Sequence, residues 1–104
     1  MHNKYEILAY LKEIKSQLSH DGIDTIGLFG SYAKGTQNSS SDIDIVYKSG
    51  NVFIDKFQGW SAFTYLNKNL RDKISQRFDV EVDLFDLNSD SSIKSKVEKE
   101  AIYV

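Results

Sequence analysis

The stretch GLFGSYAKGTQNSSSDIDIVYK, residues 27–48, decides the fold. A short apolar run ends at Gly30-Ser31, a polar loop follows, and a second apolar run begins at Asp42. Asp42 and Asp44 are two residues apart, so in a strand both side chains project from one face and isoleucines occupy the other. Two carboxylates this close repel each other, and burying them is costly unless a cation lies between them.

This pair of carboxylates suggests a magnesium site. Mg²⁺ takes one or two carboxylates, keeps waters, and completes its shell with substrate phosphates. Asp83 lies in a later alternating run, and it joins the pair if the two strands are neighbours. Three aspartates suit two metals that bracket a phosphoryl transfer. The alternative is solvation, because the run DVEVD at residues 79–83 is also typical of the wet face of an antiparallel strand.

The Gly30-Ser31 turn offers a site for phosphate. It follows an apolar run directly, and SYAK can begin a short helix that Gly35 ends. Backbone N–H groups at such a helix start bind phosphate oxygens, and the Ser31 hydroxyl and the Lys34 charge can add to them. The alternative is a plain strand-to-helix turn with a serine N-cap.

Two other phosphate or cation motifs are excluded. A P-loop spaced on the glycines at positions 30 and 35 needs lysine where Thr36 stands. An EF-hand loop beginning at Asp42 needs glycine and glutamate where Tyr47 and Phe53 stand.

Hydrophobic periodicity predicts the remaining elements. The expected order is helix, strand, short helix, strand, helix, strand, helix. The ranges are a helix over 3–19, a strand over 24–30, a strand from Asp42 to Ser49, a helix over 54–77, a strand within 78–87, and a closing helix that begins with a Ser or Asp cap and carries Ile93, Val97 and the Ala101/Ile102 pair. This order predicts a small α/β (α+β) domain with a mixed sheet of three to four strands flanked by helices.

Composition sets limits on the class of protein. The 104 residues are 40% hydrophobic and 27% charged, which is ordinary for one globular domain. A net charge of −2 gives no bulk attraction to nucleic acid or to an anionic membrane. There is no cysteine, no apolar run of membrane-spanning length and no signal-peptide pattern at the start. We therefore expect a cytoplasmic protein that binds neither membranes nor nucleic acid directly.

The motifs taken together resemble a known superfamily. Gly-Ser, ten residues, Asp-x-Asp and a third aspartate on a later strand are similar to the signature of the polymerase-β-like nucleotidyltransferases. The short chain, the leading amphipathic helix, the SDIDI form and the EAIYV ending resemble the minimal nucleotidyltransferases of bacteria and archaea. The resemblance implies that residues 1–104 form a single minimal nucleotidyltransferase domain with the polymerase-β-like fold.

The resemblance also implies roles for single residues. Gly30, Ser31 and Lys34 bind the nucleotide, while Asp42 and Asp44 bind one or two Mg²⁺ ions. Asp83 completes the site as a third metal ligand and takes the acceptor's proton. Glu81 is a less suitable third carboxylate, because VDLF is the better match to the family's strand. Many relatives have arginine where Lys34 stands, and lysine keeps the charge but not the bidentate fork.

The implied activity is transfer of AMP from ATP to a tyrosine of a small helical toxin of the HEPN type. The chain would then be the antitoxin of a toxin–antitoxin pair and would form a hetero-oligomer. Two alternatives remain open. One is a binding module that neutralises its partner by contact, through the aromatic residues Phe57, Trp60, Phe63 and Tyr65. The other is a nucleotidyltransferase that acts on a small molecule.

Overall fold

A four-stranded sheet forms the centre of the structure, a computed structural model that describes residues 2–104. The strands are β1 (Ile23–Phe29), β2 (Ile43–Ser49), β3 (Val82–Asp86) and β4 (Ile102–Tyr103), in the order β3-β2-β1-β4. β2 and β3 are parallel, whereas β1 is antiparallel to both β2 and β4. The predicted mixed sheet flanked by helices is confirmed.

Helices cover both faces of this sheet. They are α1 (Lys4–His20), α2 (Gly30–Lys34), α3 (Asn51–Lys56), α4 (Trp60–Leu66), α5 (Asp72–Phe78) and α6 (Lys94–Glu100), with a π-helical turn at Asn67–Arg71 between α4 and α5. The main core packs α1 and the α3–α5 region against one face, and a smaller cluster around Val46, Leu87 and Val97 seats α6 on the other. Within residues 2–104, no helix is both long and apolar enough to cross a membrane.

The first helix follows directly from its sequence pattern. Ile7, Leu11 and Leu18 recur at helical spacing and are buried against the sheet. The Asn3 side chain caps the helix by accepting a hydrogen bond of 3.1 Å from the Glu6 backbone N–H. The predicted helix over 3–19 is therefore confirmed, one residue later at each end.

The predicted long middle helix is wrong in one respect, because it is interrupted near its start. α3 ends at Lys56, Phe57 is extended, and Gly59 has a φ of 59° that lies in the left-handed region. Helix then runs without a further break from Trp60 through the π-helical turn to Phe78. The interruption splits the aromatic residues: Tyr65 enters the core, whereas Trp60 and Phe63 are 82% and 58% exposed.

Near the carboxyl end, the third strand is confirmed within the predicted range 78–87, whereas the closing helix needs correction. β3 begins only at Val82, because Phe78 closes α5 and Asp79 adopts a left-handed φ of 54°. The closing helix ends at Glu100, and Ile102 lies in β4, where it pairs with Leu28 of β1. The N-cap residue of that helix is Ile93 and not a serine or aspartate. A short edge strand thus replaces the last helical turn.

Asp21 is a buried carboxylate that ties three elements together. It is 8% exposed and follows the last residue of α1. Its oxygens accept hydrogen bonds from the Tyr65 hydroxyl at 2.6 Å, from the Gln17 amide at 3.0 Å and from the Lys56 ammonium at 3.0 Å. These bonds, led by the one from Tyr65, hold the pKa of Asp21 well below its ordinary value.

We expect Asp21→Ala to lower the free energy of unfolding by about 2–3 kcal/mol, because the buried Tyr65 hydroxyl loses its charged partner. Urea denaturation at pH 7 measures this loss. Asp55→Ala, at an exposed position of α3, is the control and should change stability by less than about 0.5 kcal/mol. Equal losses in the two variants would contradict a structural role for the Asp21 network.

The same network predicts a dependence on pH. The folded pKa of Asp21 is lowered, so its contribution is complete above the ordinary value of 3.8 and is lost as pH falls below it. In Asp21→Asn the stability curve should therefore be flatter than that of the wild type below pH 3.8. Denaturation midpoints measured across that acid range test the difference. Parallel curves would show that Asp21 does not titrate as the structure indicates.

Candidate active site

Three carboxylates occupy one end of the β2–β3 pair. Asp44 of β2 and Asp83 of β3 are register partners in the parallel ladder, and Asp42 lies just before β2. Ile43 and Ile45 are fully buried on the opposite face of β2, in the main core. The predicted alternation of β2 is therefore confirmed, and the fold brings Asp42, Asp44 and Asp83 to the same side of adjacent strands.

The electrostatics of this group are unfavourable without a cation. Burial, together with the negative charges of Asp83 and Asp42, raises the pKa of Asp44 to about 6. A carboxylate with neighbours of the same sign binds a proton or a cation more readily than an isolated one. A positively charged ligand would therefore relieve an unfavourable ionisation at Asp44.

The chemistry of the donors fits a divalent metal ion. Carboxylate oxygens are the hard ligands that Mg²⁺ prefers, and a cation would remove the repulsion that raises the pKa of Asp44. Over residues 2–104, no three acidic or histidine side chains already converge closely enough to hold an ion.

Gly30 connects the Gly30-Ser31 turn, called the phosphate turn after its predicted ligand, to the carboxylates. Its φ is 76°, and a Cβ at this position would overlap the Asp44 carboxylate and lie 2.9 Å from its Cγ. Glycine is thus required both by the backbone and by the close approach. Phe29, the N-cap residue of α2, has no side-chain acceptor, so the first N–H groups of α2 remain available to an anion beside Asp44.

The predicted nucleotide-binding lysine lies on α2 and is already paired. The Lys34 ammonium is 3.4 Å from a carboxylate oxygen of Glu100, the last residue of α6. Both side chains are partly exposed, and an ion pair in such a position is weak. The structure thus places Lys34 one helical turn from Gly30, with Glu100 as a competitor for any phosphate.

A polar groove that no sequence pattern indicated lies beside Asp83. The groove has a volume of about 300 Å³ and is lined by Arg71, Asp72, Ser75, Glu81, Val82 and Asp83. Arg71 donates from Nη1 to the Val82 carbonyl at 3.2 Å and thereby fixes the chain next to Asp83. Arg71 belongs to the π-helical turn. Hydrophobic periodicity identifies apolar positions, so it gave no indication that this charged residue lies beside Asp83. Glu81 precedes β3, so its place is the groove and not the strand.

The sequence of the chain is similar to a nucleotidyltransferase family and to two protein adenylyltransferases. The family model described as polymerase beta nucleotidyltransferase matches residues 12–104. Protein adenylyltransferase MntA of Shewanella oneidensis is 37% identical over 71 residues, which make up 68% of this chain and 45% of that protein. A candidate protein adenylyltransferase of Methanocaldococcus jannaschii is 30% identical over 102 residues and is matched over 95% of both chains. The chain thus spans less than half of the first relative and nearly all of the second.

Solved structures show the same fold. One is the crystal structure of a toxin–antitoxin with AMP-PNP, with a TM-score of 0.62 and 28% identity over 88% of this chain and 69% of that one. Another is a tri-AMPylated HEPN toxin of Shewanella oneidensis in complex with its MNT antitoxin. Its matching chain has a TM-score of 0.57 and 24% identity, and the match covers 93% of this chain and 70% of that one.

Proposed function

The chain belongs to the polymerase beta nucleotidyltransferase family, and from that premise we propose that it transfers AMP from ATP to a hydroxyl group of a partner protein. Members of the adenylylating kind use a nucleotide donor and a divalent metal. For this chain we propose ATP and one or two Mg²⁺ ions, acting in the cytoplasm, where ATP is supplied. We further propose that residues 1–104 act as one minimal nucleotidyltransferase domain.

The contact between Gly30 and Asp44 carries this proposal. It joins a helix start suited to phosphate with a strand suited to a cation, and Asp83 stands beside Asp44 in register. A nucleotide whose phosphates bind at Gly30 and Ser31 therefore has its reacting end next to three carboxylates. Carboxylates at these positions do not stabilise an apolar strand. They do place a cation next to the bound phosphates, as nucleotidyl transfer requires.

Different residues of the chain would bind the phosphates and the metal ion. The backbone N–H groups at Gly30 and Ser31 donate to phosphate oxygens, and the Ser31 hydroxyl adds a donor. Asp42, Asp44 and Asp83 would hold the metal, which when bound polarises the α-phosphate and offsets the charge of the leaving pyrophosphate. The close fit of Gly30 against Asp44 keeps the phosphate turn and the carboxylates in a fixed relation.

The acceptor would approach from the side of Asp83, through the polar groove that contains Arg71. Asp83 takes the proton of the acceptor hydroxyl as its oxygen attacks the α-phosphorus. A bond forms between that oxygen and phosphorus, the bond from phosphorus to the bridging oxygen breaks, and pyrophosphate leaves with the electron pair. The products are an AMP-modified hydroxyl and pyrophosphate.

For the partner we propose a small helical toxin of the HEPN type, with this chain as its antitoxin in a hetero-oligomer. The Shewanella oneidensis relative is a protein adenylyltransferase, and an antitoxin of the same fold is bound to an AMPylated HEPN toxin. The acceptor we propose is a tyrosine hydroxyl of that toxin.

The test is a labelling experiment with the full chain, Mg²⁺ and ATP labelled at the α-phosphate, in a lysate of the host. We expect label on one small protein, and none when the label is on the γ-phosphate, because AMP and not phosphate is transferred. Mass spectrometry of the labelled protein should show added AMP on tyrosine. If the chain binds ATP and no protein becomes labelled, transfer to a protein is excluded under these conditions.

A second candidate function is neutralisation of the partner by contact. It is favoured by the exposure of Trp60 and Phe63, whose rings form an edge-to-face pair with centroids 5.8 Å apart. Neutralisation of the toxin in cells by an Asp44→Asn variant would support contact, and its loss would support chemistry. Label on a small molecule instead of a protein would support the other alternative, transfer to a small molecule.

A further inference from the structure

A cleft between α2 and α6 opens beside the phosphate turn. It has a volume of about 190 Å³, and Gly30 and Lys34 form its α2 side. The α6 side consists of residues spaced three and four apart, which share one face of the helix: Ile93, Lys96, Val97 and Glu100. Since Gly30 also packs against Asp44, the cleft is continuous with the candidate active site.

We propose that Lys96 binds the terminal phosphates of the nucleotide together with Lys34, and that Glu100 holds Lys34 until those phosphates replace it. This inference rests on the proposed function and assigns a further binding residue to the same site. α6 carries three lysines, and among the residues described only Lys96 lines the cleft, whereas Lys94 and Lys99 lie on other faces.

The charge balance of the cleft supports this role. The triphosphate carries several negative charges, and three aspartates stand at its reacting end. Lys34 is paired with Glu100 at 3.4 Å, so on its own it brings little net positive charge. Lys96 makes no ion pair within residues 2–104 and gives the cleft its excess positive charge. A second ammonium also replaces donors that an arginine at position 34 would offer.

Packing holds Lys96 in place. The adjacent Val97 is buried against Val46 and Leu87, which fixes α6 on the sheet and so fixes the backbone of Lys96. The Lys34–Glu100 pair is partly exposed and weak, so an incoming phosphate can displace the carboxylate. Glu100 thus makes nucleotide binding an exchange of one anion for another.

Calorimetric titration of the full chain with ATP and with AMP, both in Mg²⁺, tests the inference without requiring transfer. We expect Lys96→Gln to weaken ATP binding roughly 10-fold and to leave AMP binding unchanged, because AMP lacks the terminal phosphates. Lys99→Gln is the matched control, since it removes the same charge from the same helix, and it should stay within about 2-fold of the wild type. Glu100→Gln should strengthen ATP binding a few-fold.

Three outcomes would overturn the inference. Equal weakening by Lys96→Gln and Lys99→Gln would mean that only overall charge matters. Equal weakening of ATP and AMP would place Lys96 at another part of the nucleotide, and unchanged ATP binding would remove it from the site. If no protein is labelled but Lys96→Gln still weakens ATP binding and not AMP binding, transfer to a protein is rejected and the role of Lys96 stands. Circular dichroism melting curves verify that each variant is folded.

Discussion

Asp44→Asn is expected to reduce nucleotidyl transfer by roughly 10³-fold or more, since a metal ligand beside the reacting phosphate supplies several kcal/mol of transition-state stabilisation. Asparagine keeps the shape of the side chain and removes its charge. Initial rates with α-labelled ATP at pH 7.5 and saturating Mg²⁺ measure the effect. Asp24→Asn, at an exposed position of β1 outside the site, is the control and should retain normal activity.

The same substitution should have the opposite effect on stability. In the metal-free protein the pKa of Asp44 is raised to about 6, so its ionisation opposes folding as pH rises from 3.8 to 6, and the cost is complete above 6. With a chelator at pH 7.5, Asp44→Asn should therefore unfold at higher denaturant concentration, with a gain of about 1–2 kcal/mol, since solvent screens this partly exposed group. Loss of both activity and stability would instead mean that Asp44 supports the fold.

Gly30→Ala is expected to lower transfer roughly 100-fold, because the added Cβ displaces the Asp44 carboxylate from the phosphate turn. It should also cost about 1–2 kcal/mol of stability, since alanine disfavours a φ of 76°. Steady-state rates and urea denaturation measure the two effects separately. A second variant with alanine at the same φ separates the two causes. If it remains active, backbone strain does not explain the loss of activity in Gly30→Ala.

Gly35→Ala provides that variant within the same short helix motif. Gly35 has the same φ of 76°, but a Cβ there would meet no atom within 4 Å. We expect a similar loss of stability and an activity within about 3-fold of the wild type. Equal loss of activity in the two variants would show that local backbone conformation, and not the contact with Asp44, matters at Gly30.

The sequence predicted the elements with strong periodic patterns and failed where the conformation depends on distant contacts. The apolar spacing of α1 and the alternation at Asp42 and Asp44 depend on local geometry, so both were found. The interruption at Gly59 could only be suspected, because an isolated glycine is tolerated in helices. Ile102 continues the helical spacing of α6, and its strand exists only because β1 offers an open edge.

The residues of the candidate site also fall into those that local sequence could predict and those that depend on distant contacts. Gly30, Ser31, Asp42 and Asp44 form one local motif, and their proximity follows from a strand, a turn and an antiparallel return. Asp83 belongs to the site only if its strand is next to β2, and the parallel pairing of β2 and β3 confirms this condition. The roles assigned to these residues stay predictions. The pairing of Lys34 with Glu100 joins residues far apart in the chain, and no spacing rule could reveal it.

The position of each strand in the sheet has a consequence for dynamics. β2 lies between two strands, whereas β3 forms an edge of the order β3-β2-β1-β4. The amide of Asp44 should therefore exchange its hydrogen with solvent slowly, and that of Asp83 much faster, because edge strands open at lower free energy than central ones. Asp44 thus stands on a strand that is paired on both sides. Asp83, for which we propose the role of base toward the acceptor hydroxyl, stands on an edge strand, which opens at lower free energy than the central strand.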